Sequence, residues 1–135
     1  MNFWPQLAGE FSKVIPAGNV DVSRDIGDVR DVVRAYRLLL EALAAGRLGG
    51  NPSVINVATG RAETIRSLIE QLCALAGITA AIEVDPALVR VDDPPEIRGN
   101  ISLLTELTGW RPEIPLKRTL ADLLAEAETD AAARH

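Results

Sequence analysis

The stretch "SVINVATGRAETIRSLIEQL", Ser53 to Leu72, decides the fold class. Ser53 to Thr59 reads as a short, mostly buried strand of the kind found in a parallel sheet covered on both faces. The period then changes. Ile65, Leu68, Ile69, Leu72, Leu75 and Ala76 recur at three-and-four spacing, which predicts a helix from Ile65 to Ala76. Thr64 suits its N-cap and Gly77 the residue beyond its end. Strand followed directly by helix is the signature of an α/β chain.

Toward the C-terminus, Ala80, Ile82 and Val84 alternate with less apolar residues and predict a second strand with one open face. "DPALVRVDDPPEIRGN", Asp85 to Asn100, is a loop rich in proline and acid. Long connections of this kind are commonly functional. Asn100 is placed to cap a helix from Ile101 to Thr108, which Gly109 ends. A last helix starts near Pro115 and uses Leu116, Leu120, Leu123, Leu124 and Ala127, with residues 129–135 expected to fray.

Toward the N-terminus, Val29, Val32, Val33, Tyr36, Leu39, Leu40 and Leu43 form a helical stripe and are expected in the core. Asp28 is its expected N-cap, and Asp31 is favourable beside the positive helix end. Before it come an extended piece and a turn at Gly18–Asn19, and a second extended piece near Ser23. Phe3, Leu7 and Phe11 suggest a short helix at the start. The whole is a small, partial α/β domain over residues 1–128, with about three short strands, four to five helices and a frayed tail. A doubly wound domain with its own nucleotide-binding turn normally has more strands.

Composition narrows the function. The chain has 135 residues and a net charge of −5, with 14 basic against 19 acidic side chains. An acidic chain without a basic block argues against general nucleic-acid binding. No apolar run approaches the roughly 20 residues of a membrane span. Cys73 is the single cysteine, and no basic, apolar leader opens the sequence, so the cytoplasm is the expected compartment. The one histidine, His135, stands at the chain end, which argues against histidine acid–base chemistry and an ordinary zinc site.

Four ordered motifs carry a resemblance: "AGN…SRDIGDVRDVVRAYRLLLE", "VINVATGRAETIRSLIEQL", "VDPALVRVDDPPEIRGNISLLTELTGW" and "RPEIPLKRTLADLL". Together they resemble the C-terminal half of the extended short-chain dehydrogenase/reductases that act on nucleotide sugars. Within these the resemblance is nearest to the GDP-mannose 4,6-dehydratase and GDP-4-keto-6-deoxymannose reductase group. It implies the C-terminal part of an NAD(P)-binding, Rossmann-type epimerase/dehydratase fold. It also implies a site for a nucleotide diphosphate sugar. Arg24 matches the arginine of the family's R-D-aromatic motif, which approaches the phosphates. Arg90 matches a late-loop arginine at the diphosphate, Asp93 an acidic position at the ribose, and Asn19 a stretch passing the base. Guanidinium forks suit a diphosphate, and a carboxylate suits a ribose diol. The aromatic of the R-D motif is replaced by Ile26, and the residue after Arg90 is Val91 rather than proline.

The resemblance also marks what this sequence lacks. The family's cofactor turn and its Tyr-x-x-x-Lys pair belong to the N-terminal half. Tyr36 is followed four residues on by Leu40, and no G-x-G-x-x-G is present. The chain is therefore expected to bind no NAD(P) and to be inactive by itself. A homo-oligomer or a separate Rossmann chain is expected to complete it, because the strand at Ser53 would otherwise leave an open edge and an uncovered face. The alternative is a non-catalytic interaction or remnant module that oligomerises and has lost its ligand. On charge alone, Arg24 is read as a surface partner of Asp25, Asp28 or Asp31. Tyr36 and Trp110 read as core residues, and Cys73 as a small packed side chain.

Overall fold

The computed structural model describes residues 14–49 and 54–134. The expected helix of Phe3 to Lys13 lies outside them. In chain order the elements are β1 (Val14–Ala17), β2 (Ser23–Arg24), α1 (Val29–Ala44), β3 (Glu63–Thr64) and α2 (Ile65–Ala76). Then follow β4 (Ala81–Val84), a 3-10 turn (Pro86–Leu88), β5 (Glu96–Ile97), α3 (Ser102–Thr108) and α4 (Leu116–Ala133).

Two small sheets organise the described residues. β1 pairs with β4 in parallel, Val14 opposite Ala81 and Ala17 opposite Val84. β2 lies between β3, antiparallel, and β5, parallel. Two apolar clusters sit behind them. Ile15, Val20, Ile69 and Cys73 join β1 to α2. Ala35, Leu104 and Trp110 join α1 to α3, with Ile55 and Val57 packed alongside.

The caps follow the sequence. The Asp28 side chain accepts from Arg30 N at the start of α1, and Thr64 accepts from Ser67 N at the start of α2. Gly77 and Gly109 end α2 and α3 at φ of 71° and 74°, where a side chain would be strained. Asn100 serves α3 through Ser102 N, one residue outside the assigned cap, Ile101.

Three expectations are corrected. Val54 to Val57 is not a strand: Val54 is exposed, Ile55 and Val57 pack inward, and no neighbouring strand pairs with the segment among the described residues. An extended run without a ladder partner remains unassigned. α1 is turned from its expected orientation. Val29, Val33, Tyr36, Leu40 and Leu43 are exposed, while Asp31, Ala35 and Ala42 are buried. Ala35 packs against Leu104 of α3 and Trp110, so among the described residues the small side of α1 faces the core and the larger stripe does not. Lastly, α4 continues to Ala133, through most of the stretch expected to fray.

Candidate functional site

The turn after β1 carries Asn19, β2 carries Arg24, and the loop before β5 carries Arg90 and Asp93. The β2–β5 pairing brings these distant segments together. Asn19 clamps the loop: its Nδ2 donates to the Arg90 carbonyl at 2.8 Å and to Asp93 Oδ2 at 3.0 Å. Arg90 N donates back to Asn19 Oδ1 at 2.9 Å. Arg24 forms an ion pair with the other Asp93 oxygen and donates to the carbonyls of Ser23 and Pro94 at 2.7 and 2.9 Å. All four residues singled out in the sequence thus converge. Arg24 pairs with Asp93, not with any of the three nearby aspartates that charge alone suggested. Beside them, Arg90 to Pro94 line an open concavity of about 420 Å³.

The arrangement suits an anion flanked by polar groups. Arg90 is exposed and has no ion-pair partner among the described residues. Its backbone is fixed while its guanidinium is available for a charge-assisted bond. Arg24 is half-buried, and its side chain is held by three acceptors.

The sequence reading gave Asp25 no role of its own. Its Oδ1 accepts from Thr59 N at 2.8 Å and Thr59 Oγ1 at 2.7 Å. Its Oδ2 accepts from Gly60 N at 2.9 Å and Gly99 N at 3.1 Å. Burial alone would raise the Asp25 carboxyl, but the bonds from Thr59, Gly99 and Gly60 hold it below the ordinary carboxylate range. A Cβ at Gly99 would collide with the Ala58 methyl, so this knot also needs glycine there. The signal was present in "RD": the arginine turns to the loop at Asp93 and the aspartate to the loops at Thr59 and Gly99.

Other chemistry finds little support. Cys73 is buried; burial, then Glu70, push its thiol up, away from the reactive thiolate. No group of three His, Cys, Asp or Glu side chains able to hold a metal occurs among the described residues. Nor is any helix among them long and apolar enough to cross a membrane. A dinucleotide pyrophosphate takes a glycine turn between a strand and a helix start. Here Gly46, Gly77 and Gly109 follow helix ends, and Gly60 is held by Asp25. The described residues do not fit such a cofactor.

Comparison with known proteins identifies the family and the fold. The profile of the family "GDP-mannose 4,6 dehydratase" matches residues 2–123. GDP-6-deoxy-D-mannose reductase of Pseudomonas aeruginosa is 39% identical over 115 residues, covering 85% of this chain and 36% of that protein. The solved structure of RMD from Pseudomonas aeruginosa complexed with NADPH superposes with a TM-score of 0.80 at 34% identity, covering 95% of this chain and 40% of that one. UDP-glucose 4-epimerase of Thermotoga maritima with UDP-glucose gives 0.74 at 26% identity, covering 96% and 38%. The chain therefore spans well under half the length of these relatives.

Proposed function

The chain belongs to the GDP-mannose 4,6-dehydratase family, and from that premise we propose that it is the nucleotide-sugar-binding part of an epimerase, dehydratase or reductase, taking a GDP-mannose-like ligand. The observation that carries this reading is that Asn19 and Arg24 converge on Asp93 and the Arg90 backbone, beside a concavity lined by Arg90 to Pro94. Arg90 meets the diphosphate, with Arg24 beside it; Asp93 faces the ribose, and Asn19 lies near the base. Without a Tyr-x-x-x-Lys pair or a glycine-rich cofactor turn in its sequence, the chain transfers no hydride alone. It works in the cytoplasm, in an assembly with further copies of itself or with a separate chain that binds NAD(P).

Calorimetric titration of GDP-mannose into the purified chain tests this, with UDP-glucose and Arg90→Ala alongside. Saturable binding of the GDP sugar, lost in the variant, is the expected result. A second reading, an interaction module that has lost its ligand, is favoured by one observation: the Arg24 side chain is already held by Asp93 and two carbonyls. Absence of heat at millimolar GDP-mannose would select that reading and reject the first.

A further inference from the structure

We propose that Asp25 is a positioning residue for ligand binding. It touches no ligand; its carboxylate holds the far end of the segment from Arg90 to Gly99 against the turn at Thr59, so that Arg90 and Asp93 are presented in a fixed place. The inference deepens the nucleotide-sugar reading above and rests on it.

Acceptor capacity separates the two carboxylates. An ionised carboxylate offers about four lone-pair sites. Asp25 has filled its own: Thr59 N and Thr59 Oγ1 donate to Oδ1, and Gly60 N and Gly99 N donate to Oδ2. No acceptor is left for a ligand hydroxyl. Asp93 takes one bond on each oxygen, from Arg24 and from Asn19. It keeps about two sites for a diol. One carboxylate can receive a ligand, and the other is used up within the protein.

Arg24 and Asp25 are neighbours at the end of β2, and adjacent side chains along a strand point to opposite sides. Arg24 reaches the middle of the segment, at Asp93 and Pro94, while Asp25 reaches its end, at Gly99. Asn19 secures the near end through both the N–H and the carbonyl of Arg90. Between the ends the ladder is short. β5 has two residues on β2, and Ser23 N adds one bond to the Pro95 carbonyl at 2.8 Å. The placement of the segment therefore depends on its end anchors.

The far anchor is packed as well as bonded. Gly99 lies so close to Ala58 that a Cβ there would collide with the Ala58 methyl. Gly60, at a φ of 79°, takes the other bond of Oδ2. A single oxygen thus ties the segment to the turn before α2. A site whose groups are already in place loses less freedom when ligand arrives. Asp25→Asn puts an amide where an acceptor stood and releases the far end, yet Arg24, Arg90 and Asp93 all remain.

Calorimetric titration of GDP-mannose into the wild type and Asp25→Asn tests the proposal, at a temperature where circular dichroism shows both folded. Affinity should fall about fivefold or more in the variant. Leu124→Val, on the buried face of α4, is the control: it should lower the melting temperature and leave affinity unchanged. Amide hydrogen exchange of the ligand-free chains is the second readout. In Asp25→Asn, exchange should quicken at Gly60, at Gly99 and along the segment to Arg90, with the middle of α4 unchanged. Wild-type affinity in Asp25→Asn would overturn the proposal. So would a loss that Leu124→Val reproduces at an equal drop in melting temperature, which marks a general loss of stability. Quickened exchange confined to the turn at Thr59, with Arg90 still protected, would overturn it as well. Each of these outcomes, seen with a wild type that binds, removes the role of Asp25 alone. A wild type that binds no GDP-mannose removes the nucleotide-sugar reading and this role together.

Discussion

The indole Nε1 of Trp110 donates to the main-chain carbonyl of Asp31 at 2.9 Å, joining the turn before α4 to the first turn of α1. Trp110 is 1% exposed and packs with Ala35 and Leu104. Asp31 reinforces the same junction, its Oδ2 accepting from Glu113 N at 3.2 Å and Ile114 N at 3.1 Å. Trp110→Ala should cost about 3–5 kcal/mol, the range for deleting a large buried aromatic. Trp110→Phe should cost clearly less, because much of the volume is kept. Urea denaturation followed by circular dichroism measures both.

Asp25 should be intolerant of its nearest isostere. In Asp25→Asn an amide group replaces an acceptor, so at least one N–H of Thr59, Gly60 or Gly99 faces another donor. A loss of about 1–3 kcal/mol is expected for such an unsatisfied pair. Gly99→Ala should be of similar or greater cost through its clash at Ala58. Thermal melts of the two variants check the ranking. A fully stable Asp25→Asn would show that the knot is dispensable.

On the proposed function, Asn19 should act on ligand binding through Arg90, whose backbone it holds. Asn19→Ala removes both bonds to the Arg90 backbone and one to Asp93. These groups are partly exposed, so about 1 kcal/mol is expected, which is roughly a fivefold loss in GDP-mannose affinity. Arg90→Ala should do more, since it removes the guanidinium itself. Calorimetry on both variants orders the two effects.

Acid should unfold the chain through its held carboxylates. Hydrogen bonding by Arg30, against the opposing effect of burial and with help from Thr119, keeps the Asp28 carboxyl well below the usual range. Asp25 is lowered as well. Depressed native values mean that the unfolded chain binds more protons in acid, so stability rises with pH there. The contribution is complete above the unfolded aspartate value of about 3.9 and is lost as pH falls toward the native values. Asp28→Asn should flatten this dependence below about pH 4. Guanidinium midpoints measured from pH 2 to 7 test the slope.

Much of this was legible in the sequence. α2 emerged with both predicted caps, because its apolar period, Thr64 and Gly77 all act locally. β1 and β4 were visible as extended apolar runs, although their parallel pairing was not. The orientation of α1 was hidden because periodicity finds an apolar face without saying what covers it. Ala35 and Ala42 weigh little in hydropathy, yet they are the buried apolar residues of α1. The extended segment at Val54 failed as a strand for a related reason: its residue types favour a ladder, but a ladder needs a neighbour. Arg24, Arg90, Asp93 and Asn19 were found through the resemblance, not through spacing. The "RD" pair marked the position of Asp25, but its role was missed because three of its four donors are backbone N–H groups, which residue types do not name.

The distances along the chain within the site set the order in which it forms. Asn19 reaches Arg90 across 71 residues, and Arg24 reaches Asp93 across 69. The strands that hold them are two residues long and offer few local contacts. Helices close quickly, whereas such remote pairings wait for large loops to be closed against entropy. A refolding chain should therefore regain its helical signal before it regains the nucleotide affinity proposed for it. Ligand then arrives as the last participant in folding, and its effect should be seen in slower unfolding rather than in faster collapse.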